Sequence, residues 1–438
     1  EPMSCVTANV IFNVTDQYTD DYFNQPASEC QIVPEIEGGL TMAFDYETAD
    51  SVALYSNAQV ADLDGDGNIE IIALSSTEIS TTDPRHSRSL KVFRGVDGVT
   101  IRDITTPYIS FDGPTPMAMA DLNGDGTVEI IIASLYTQNI ASEQNYLFCY
   151  DYLGNLLWKS DTQFGANVTG NPGAANVGIA DFNNDGAAEV YIYNEIFNAN
   201  TGAKLCDGGS NGIGSQETYG GIVQSVVVAA NVNATSNLEL CAGRTVYEVV
   251  LNDTSGTTGN TMVATNYSTN SGDDGYTAVA DMDLDGTLDI ITLSADGDVI
   301  LWDGQTGSSY DVFATGEGND AMGALFIGDV DNSGIPNIGY CRDNEVDMLE
   351  YDTTTTTLSR KGQLATTDGS GRTGLTMFDF DQDGKQEIVY RDEDQLRIID
   401  GSTGTPVDLI TAIATSTTGM EGPIVADVDN DGAAEILV

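Results

Sequence analysis

Asp62-Leu-Asp-Gly-Asp-Gly-Asn-Ile-Glu70 carries acids at its first, third, fifth and ninth positions and glycine at its sixth. The frame returns six times. It reads Asp121-Leu-Asn-Gly-Asp-Gly-Thr-Val-Glu129, Asp181-Phe-Asn-Asn-Asp-Gly-Ala-Ala-Glu189 and Asp281-Met-Asp-Leu-Asp-Gly-Thr-Leu-Asp289. It continues as Asp329-Val-Asp-Asn-Ser-Gly-Ile-Pro-Asn337, Asp379-Phe-Asp-Gln-Asp-Gly-Lys-Gln-Glu387 and Asp427-Val-Asp-Asn-Asp-Gly-Ala-Ala-Glu435. The starts are separated by 59, 60, 100, 48, 50 and 48 residues. The long gap reads as two units, because Asn231-Val-Asn-Ala-Thr-Ser-Asn-Leu-Glu239 stands halfway through it with the charged ligands replaced. The chain therefore holds eight units of roughly 50 residues, a period typical of repeat architectures.

Each unit has one local grammar. A small-apolar segment such as Gln59-Val60-Ala61 precedes the acidic loop, and a β-branched run such as Glu70-Ile-Ile-Ala-Leu74 follows it. A third segment alternates and ends in a turn, as in Leu396-Arg-Ile-Ile-Asp-Gly-Ser-Thr-Gly404, and a fourth follows, as in Pro406-Val-Asp-Leu-Ile-Thr411. Four short strands per repeat, with no helical periodicity, predict an all-β chain folded as a β-propeller of four-stranded blades. Eight blades are expected; seven with a stray half-unit is the competing count. The last unit stops at Glu435-Ile-Leu-Val438, after two strands. Leu40-Thr-Met-Ala-Phe-Asp-Tyr-Glu-Thr48 and Ser51-Val-Ala-Leu-Tyr55 read as the missing third and fourth, so strands from both chain ends are expected to close the ring. Residues 40–438 form the predicted propeller, and 1–39 lie outside the repeat.

Oxygens at positions 1, 3 and 5 converge where the chain turns tightly, and glycine at position 6 permits the turn. A hard cation that takes six to eight oxygens suits such a cage, and Ca²⁺ tolerates its geometry better than Mg²⁺. The carbonyl at position 7 and the acid at position 9 complete the shell. A single copy would read equally well as a solvated Asp-Gly turn; seven copies in one frame do not. An EF-hand is excluded, since it requires Glu at position 12 and flanking helices. The expected ligands are Asp62, Asp64, Asp66 and Glu70; Asp121, Asn123, Asp125 and Glu129; and Asp181, Asn183, Asp185 and Glu189. Three further loops offer Asp281, Asp283, Asp285 and Asp289; Asp379, Asp381, Asp383 and Glu387; and Asp427, Asp429, Asp431 and Glu435. That makes about six Ca²⁺ sites. Asp329, Asp331 and Ser333 form a doubtful one, and the loop at Asn231 is expected to hold no metal.

This frame resembles the FG-GAP/VCBS repeats of integrin α-subunit propellers and of many secreted bacterial proteins. The resemblance covers residue 40 to the C-terminus. It implies that each loop joins the first two strands of a blade and holds Ca²⁺ through the residues just named. It leaves the biochemical role open, since such propellers serve adhesion, matrix assembly and, in some lyases, polysaccharide cleavage.

Composition narrows that role. Sixty-eight Asp and Glu against 15 Lys and Arg give a net charge of −53, which excludes nucleic-acid binding and disfavours anionic membranes. Disorder is excluded by the 41% of hydrophobic residues. The longest apolar runs, such as Val226-Val-Val-Ala-Ala230, are too short to span a bilayer. Six cysteines without a CxxC argue against a zinc site and are compatible with disulfides and export. The start at Glu1-Pro2 is compatible with a processed or a trimmed N-terminus.

Val6, Ala8, Val10, Phe12 and Val14 alternate like a strand, bracketed by Cys5 and Cys30. Residues 1–39 are therefore expected to lie on the parent propeller, to add a strand to a neighbour, giving a homo-oligomer or polymer, or to be disordered. Sequons at Asn13, Asn167, Asn233, Asn252 and Asn266 admit glycans. The one histidine, His86, reads as surface decoration, and no nucleophile elbow or nucleotide motif occurs. The reading is a non-enzymatic, extracellular, calcium-stabilised propeller acting as a structural or adhesive module, with glycans or extracellular proteins as partners. The alternative is a polysaccharide-binding or polysaccharide-lyase propeller similar to the rhamnogalacturonan lyases.

Overall fold

The structure, a computed structural model, describes residues 42, 45–48, 50, 52, 57–75, 86–110, 117–134, 143–219, 222–316, 323–369, 371–393, 395–413 and 422–438. They fall within one compact unit, Leu40–Val438. The arm predicted over residues 1–39, with Cys5, Cys30 and Asn13, lies outside the described residues. The only helical element described is a single turn at Ser271–Asp273, and no helix is long and apolar enough to cross a membrane.

Seven antiparallel four-stranded sheets and a final hairpin follow one another along the chain, each spanning one repeat. Blade 1 comprises Gln59–Ala61, Glu70–Leu74, His86–Arg94 and Thr100–Ser110; blade 2 comprises Met117–Ala120, Glu129–Ala133, Leu147–Tyr150 and Leu156–Lys159. Blade 3 holds Gly178–Ala180, Glu189–Ile192, Glu195–Asn198 and Lys204–Asp207; blade 4 holds Val228–Ala230, Glu239–Ala242, Thr245–Val250 and Thr261–Asn266. Blade 5 is Gly275–Ala280, Asp289–Ser294, Asp298–Trp302 and Ser309–Ala314, and blade 6 is Phe326–Gly328, Asn337–Arg342, Glu345–Asp352 and Thr357–Ala365. Blade 7 is Leu375–Phe378, Glu387–Asp392, Gln395–Asp400 and Val407–Ile413. The hairpin of the eighth repeat pairs Ile424–Ala426 with Glu435–Leu437.

The acidic loop sets the register everywhere. The residue just before position 1 pairs with position 9 in all eight repeats, from Ala61 with Glu70 to Ala426 with Glu435. Second strands are buried on both faces, which explains their unbroken apolar runs: Ile130, Ile131 and Ile132 are all fully buried. The two faces feed different cores. Ile130 and Ile132 pack with Ile72, Leu90 and Val92 of blade 1, whereas Ile131 packs with Val190 and Phe197 of blade 3. Shared apolar layers of this kind lie between consecutive blades from 1 to 7.

The loop residue at position 2 is the plug of each layer. Val232 of blade 4 packs on Trp302 of blade 5, and Val330 of blade 6 packs on Ile399 of blade 7. Val428, at position 2 of the last loop, packs in the same way on Ile71 and Phe93 of blade 1. Gly422 N donates to Asn57 Oδ1 at 2.6 Å, and Asn430 Nδ2 to Gly67 O at 2.8 Å. The eighth hairpin therefore stands to blade 1 as blade 4 stands to blade 5.

The described structure departs from the sequence reading in two places. Of the strands predicted over 40–55, residues 45–48 are irregular: Tyr46 donates its hydroxyl to Gly95 O, and Val52 makes one antiparallel bridge to Ser75 of blade 1. The remainder lies outside the described residues. A further sheet was not foreseen. Asn171–Ala175 runs parallel to Ile222–Ser225, which is antiparallel to Ser215–Tyr219. Gln224 from this sheet accepts from Tyr276 Oη at 2.9 Å, and Arg372 Nη1 lies 3.4 Å from it, so the sheet reaches the entry of blade 7. Asp274 holds its edge, accepting from Ile213 N and Gly214 N, each at 3.1 Å.

Cys149, Cys206, Cys241 and Cys341 are buried free thiols in four different strands, so these four form no disulfides. His86 begins a strand of blade 1. Asn167, Asn252 and Asn266 are exposed, and Asn233 is half-buried.

Candidate metal centres

Every acidic loop connects the first two strands of its blade, and the turn is built from the carboxylate at position 1. Asp62 Oδ1 accepts from Gly65 N (2.8 Å) and Asp66 N (3.1 Å), while its Oδ2 accepts from Gly67 N (2.9 Å). Asp181, Asp281, Asp379 and Asp427 grip the amides of positions 5 and 6 in the same manner. The grip requires left-handed backbone. Position 6 has φ between +81° and +92° in the seven loops where it is glycine. Position 4 is left-handed in all eight, even where it is Ala234 or Leu284. Those two residues bear the strain that glycine avoids.

Position 9 is the buried foot of the loop. In all eight repeats its side-chain oxygen accepts the backbone N–H of position 2, as in Leu63 N to Glu70 Oε2 (2.9 Å) and Met282 N to Asp289 Oδ2 (3.0 Å). The second oxygen points back to the loop. In blade 4, which lacks the acids, Glu239 Oε1 takes a hydroxyl from Thr235 at 3.4 Å. In blade 3 Glu189 Oε1 is buried with no hydrogen-bond partner. Burial pushes Glu70, Glu189, Asp289 and Glu387 up to about 7, with the loop aspartates adding to the shift against the lowering effect of the position-2 amide. An oxygen that has lost water and gained no donor calls for a cation.

In four of the six predicted loops the acids converge; those at Asp121 and Asp181 form no such acidic group among the described residues. Ligand oxygens of Asp62, Asp64 and Asp66 lie within 4.8 Å of one another, as do those of Asp281, Asp283 and Asp285. Asp379 and Asp381 close on Glu387, and Asp427 and Asp429 on Glu435. Where position 3 is Asn, the amide bonds within the loop: Asn123 Nδ2 donates to Glu129 Oε1 (3.0 Å), and Asn183 Nδ2 to Asp185 Oδ2 (3.0 Å). Asp329 and Asp331 form no such acidic group among the described residues. The donor set, all hard oxygen on exposed turns, fits a hard divalent cation.

Neighbouring loops are joined to one another. Val128 N donates to Leu63 O, Leu238 N to Phe182 O, and Gln386 N to Asp329 O, at 2.9–3.0 Å. The sequence did not reveal this coupling, although position 8 is where it occurs each time.

Fold and loops together define a β-propeller with an acidic turn between the first two strands of every repeat except the fourth. The chain carries FG-GAP-like repeats: that family matches residues 62–132, 121–192 and 379–438. No curated protein matches the chain in sequence. Among solved structures it is similar to the rhamnogalacturonan lyase YesW, at 16% identity and a TM-score of 0.54, covering 87% of this chain and 69% of that one. A Bacillus licheniformis rhamnogalacturonan lyase gives 16% and 0.53 with the same coverage. BamB from Moraxella catarrhalis gives 14% and 0.50, covering 84% of this chain and 91% of that one. At these identities the likeness is one of fold.

Proposed function

We propose that this chain is an extracellular, calcium-stabilised propeller that serves as a structural or adhesive module. Six loops hold Ca²⁺ through the carboxylates and amides at positions 1, 3, 5 and 9, and the eighth hairpin completes the ring against blade 1. The observation that carries the reading is Glu189 Oε1, buried without a donor beside Asp181 and Asp185. Exposed turns of this kind bind weakly, and modules with dissociation constants of roughly 10⁻⁴–10⁻³ M fill only at extracellular calcium. Adding EDTA should lower the melting temperature by many degrees, and calcium should restore it; an unchanged melting curve sinks the assignment.

Assembly through residues 1–39, by strand addition to a second copy, belongs to the same proposal. Electron microscopy of the full chain and of a variant lacking those residues tests it: filaments or arrays only in the full chain support it, and monomers in both overturn it. The lyase alternative draws on the names of two proteins that share the fold. It is tested by incubating the chain with rhamnogalacturonan and following the ultraviolet absorbance of unsaturated products.

A further inference from the structure

In six of the seven four-stranded blades the third and fourth strands pair with one extra residue on the fourth. It always falls opposite the same step of the third strand, just inside the residue that pairs with loop position 10. These bulged residues are Ile101, Leu157, Leu205, Tyr310, Lys361 and Leu409. A bulge re-aims a side chain, and this one can aim at the loop of its own blade. In blade 5 Tyr310 Oη lies 3.3 Å from Asp283 Oδ2, the acid at position 3. In blade 6 the same step of the sheet delivers an ammonium to position 3: Lys361 Nζ donates to Asp331 Oδ2 at 2.5 Å and to Glu350 Oε2 at 3.3 Å. Lys361 is the only cation among the six.

Blade 6 is also where the loop has lost two of its four acids. Ser333 and Asn337 stand at positions 5 and 9, leaving two carboxylates for any ion. Asn337 Oδ1 still accepts Val330 N at 3.1 Å, so the turn keeps its foot without a charge. We propose that Lys361 is the resident cation of this loop, replacing the divalent ion of its neighbours and keeping one out.

Blade 7 supplies a contrast. Lys385 Nζ pairs with Asp383 at 3.1 Å, but that lysine side chain is 42% exposed and water can take its place. The Lys361 side chain is 9% exposed. Stripping Asp331 from it would leave a nearly buried ammonium with only the longer contact to Glu350, which costs more than a surface pair returns. Blade 6 thus keeps its loop shape whether or not calcium is present.

Bound ions counted by native mass spectrometry at saturating calcium, with melting curves in calcium and in EDTA, test this on the full chain. Ser333→Asp alone should add no ion, while Ser333→Asp with Lys361→Met should add one. Asp331→Asn should lower the melting temperature equally in calcium and in EDTA. Asp381→Asn, at the same position of blade 7, should lower it in calcium only. An extra ion in Ser333→Asp alone, no extra ion in the double variant, or an Asp331→Asn effect confined to calcium would each overturn the proposal. Should Asp331→Asn fail to fold, the two ion counts still decide.

Discussion

Glu239 accepts the backbone N–H of Val232 at 3.1 Å, inside the one loop whose metal-binding acids are gone. Glu, Asp and Asn all make this bond in the other repeats, so position 9 supports the turn before it serves any ion. Glu239→Ala leaves a buried amide without an acceptor and should cost about 1–3 kcal/mol by urea denaturation. The loss should be the same with calcium and with EDTA. Glu239→Gln keeps the acceptor and should leave stability nearly unchanged.

Glu189→Gln separates the two roles of position 9. The amide keeps an oxygen for Phe182 N, which now sits 2.9 Å from Glu189 Oε2, but the buried charge is lost. The variant should bind one calcium fewer and gain less thermal stability from calcium than the parent. An unchanged ion count by native mass spectrometry would remove Glu189 from the ligand set.

Asp274 gives the fold a pH dependence of definite sign. Burial raises its carboxyl from 3.8 to about 6, against the lowering effects of the Ile213, Gly214 and Ser215 amides and of Arg244. The folded chain therefore holds this proton at a pH where the unfolded chain has released it. Between about pH 4 and about pH 6 the contribution of Asp274 to stability grows as pH falls, and above that range its burial cost is carried in full. Asp274→Asn should gain on the parent as pH rises across this window. Urea midpoints for both proteins at a few pH values check it; a constant difference between them would refute the shift.

Gly95 is the seat of the last hairpin. A Cβ there would lie 2.0 Å from Val428 O and 2.6 Å from Ile69 O, both backbone atoms. Gly95→Ala should cost about 1–3 kcal/mol through overpacking. Hydrogen exchange should show Ile424–Ala426 and Glu435–Leu437 opening first.

Eight repeats were legible because turn chemistry repeats more faithfully than strand chemistry. The blade 4 loop was placed from its frame alone, and Ala234 at φ +59° shows it still turns like the rest. The inserted sheet was not legible. Asn171–Ala175 reads Asn-Pro-Gly-Ala-Ala, which carries no strand pattern, and its parallel partner lies some 50 residues on. The Gly220-Gly221 dipeptide in the sequence, a pattern favoured in short hairpins, was the one local signal. The bulges left no mark either, because one extra residue in a strand changes register without changing composition. The even cysteine count was compatible with pairing or with free thiols, and Cys149, Cys206, Cys241 and Cys341 each lie unpaired in a separate buried strand.

Val428 against blade 1 also decides how the molecule would bear force. Glu435–Leu437 draws its strand hydrogen bonds, among the described residues, from Ile424–Ala426 alone. Among the described residues, tension reaching Glu435–Leu437 meets one short hairpin on the flank of blade 1, whereas each of the seven full sheets offers four strands. If the Asp427 loop holds calcium as proposed, the ion would stiffen that hairpin.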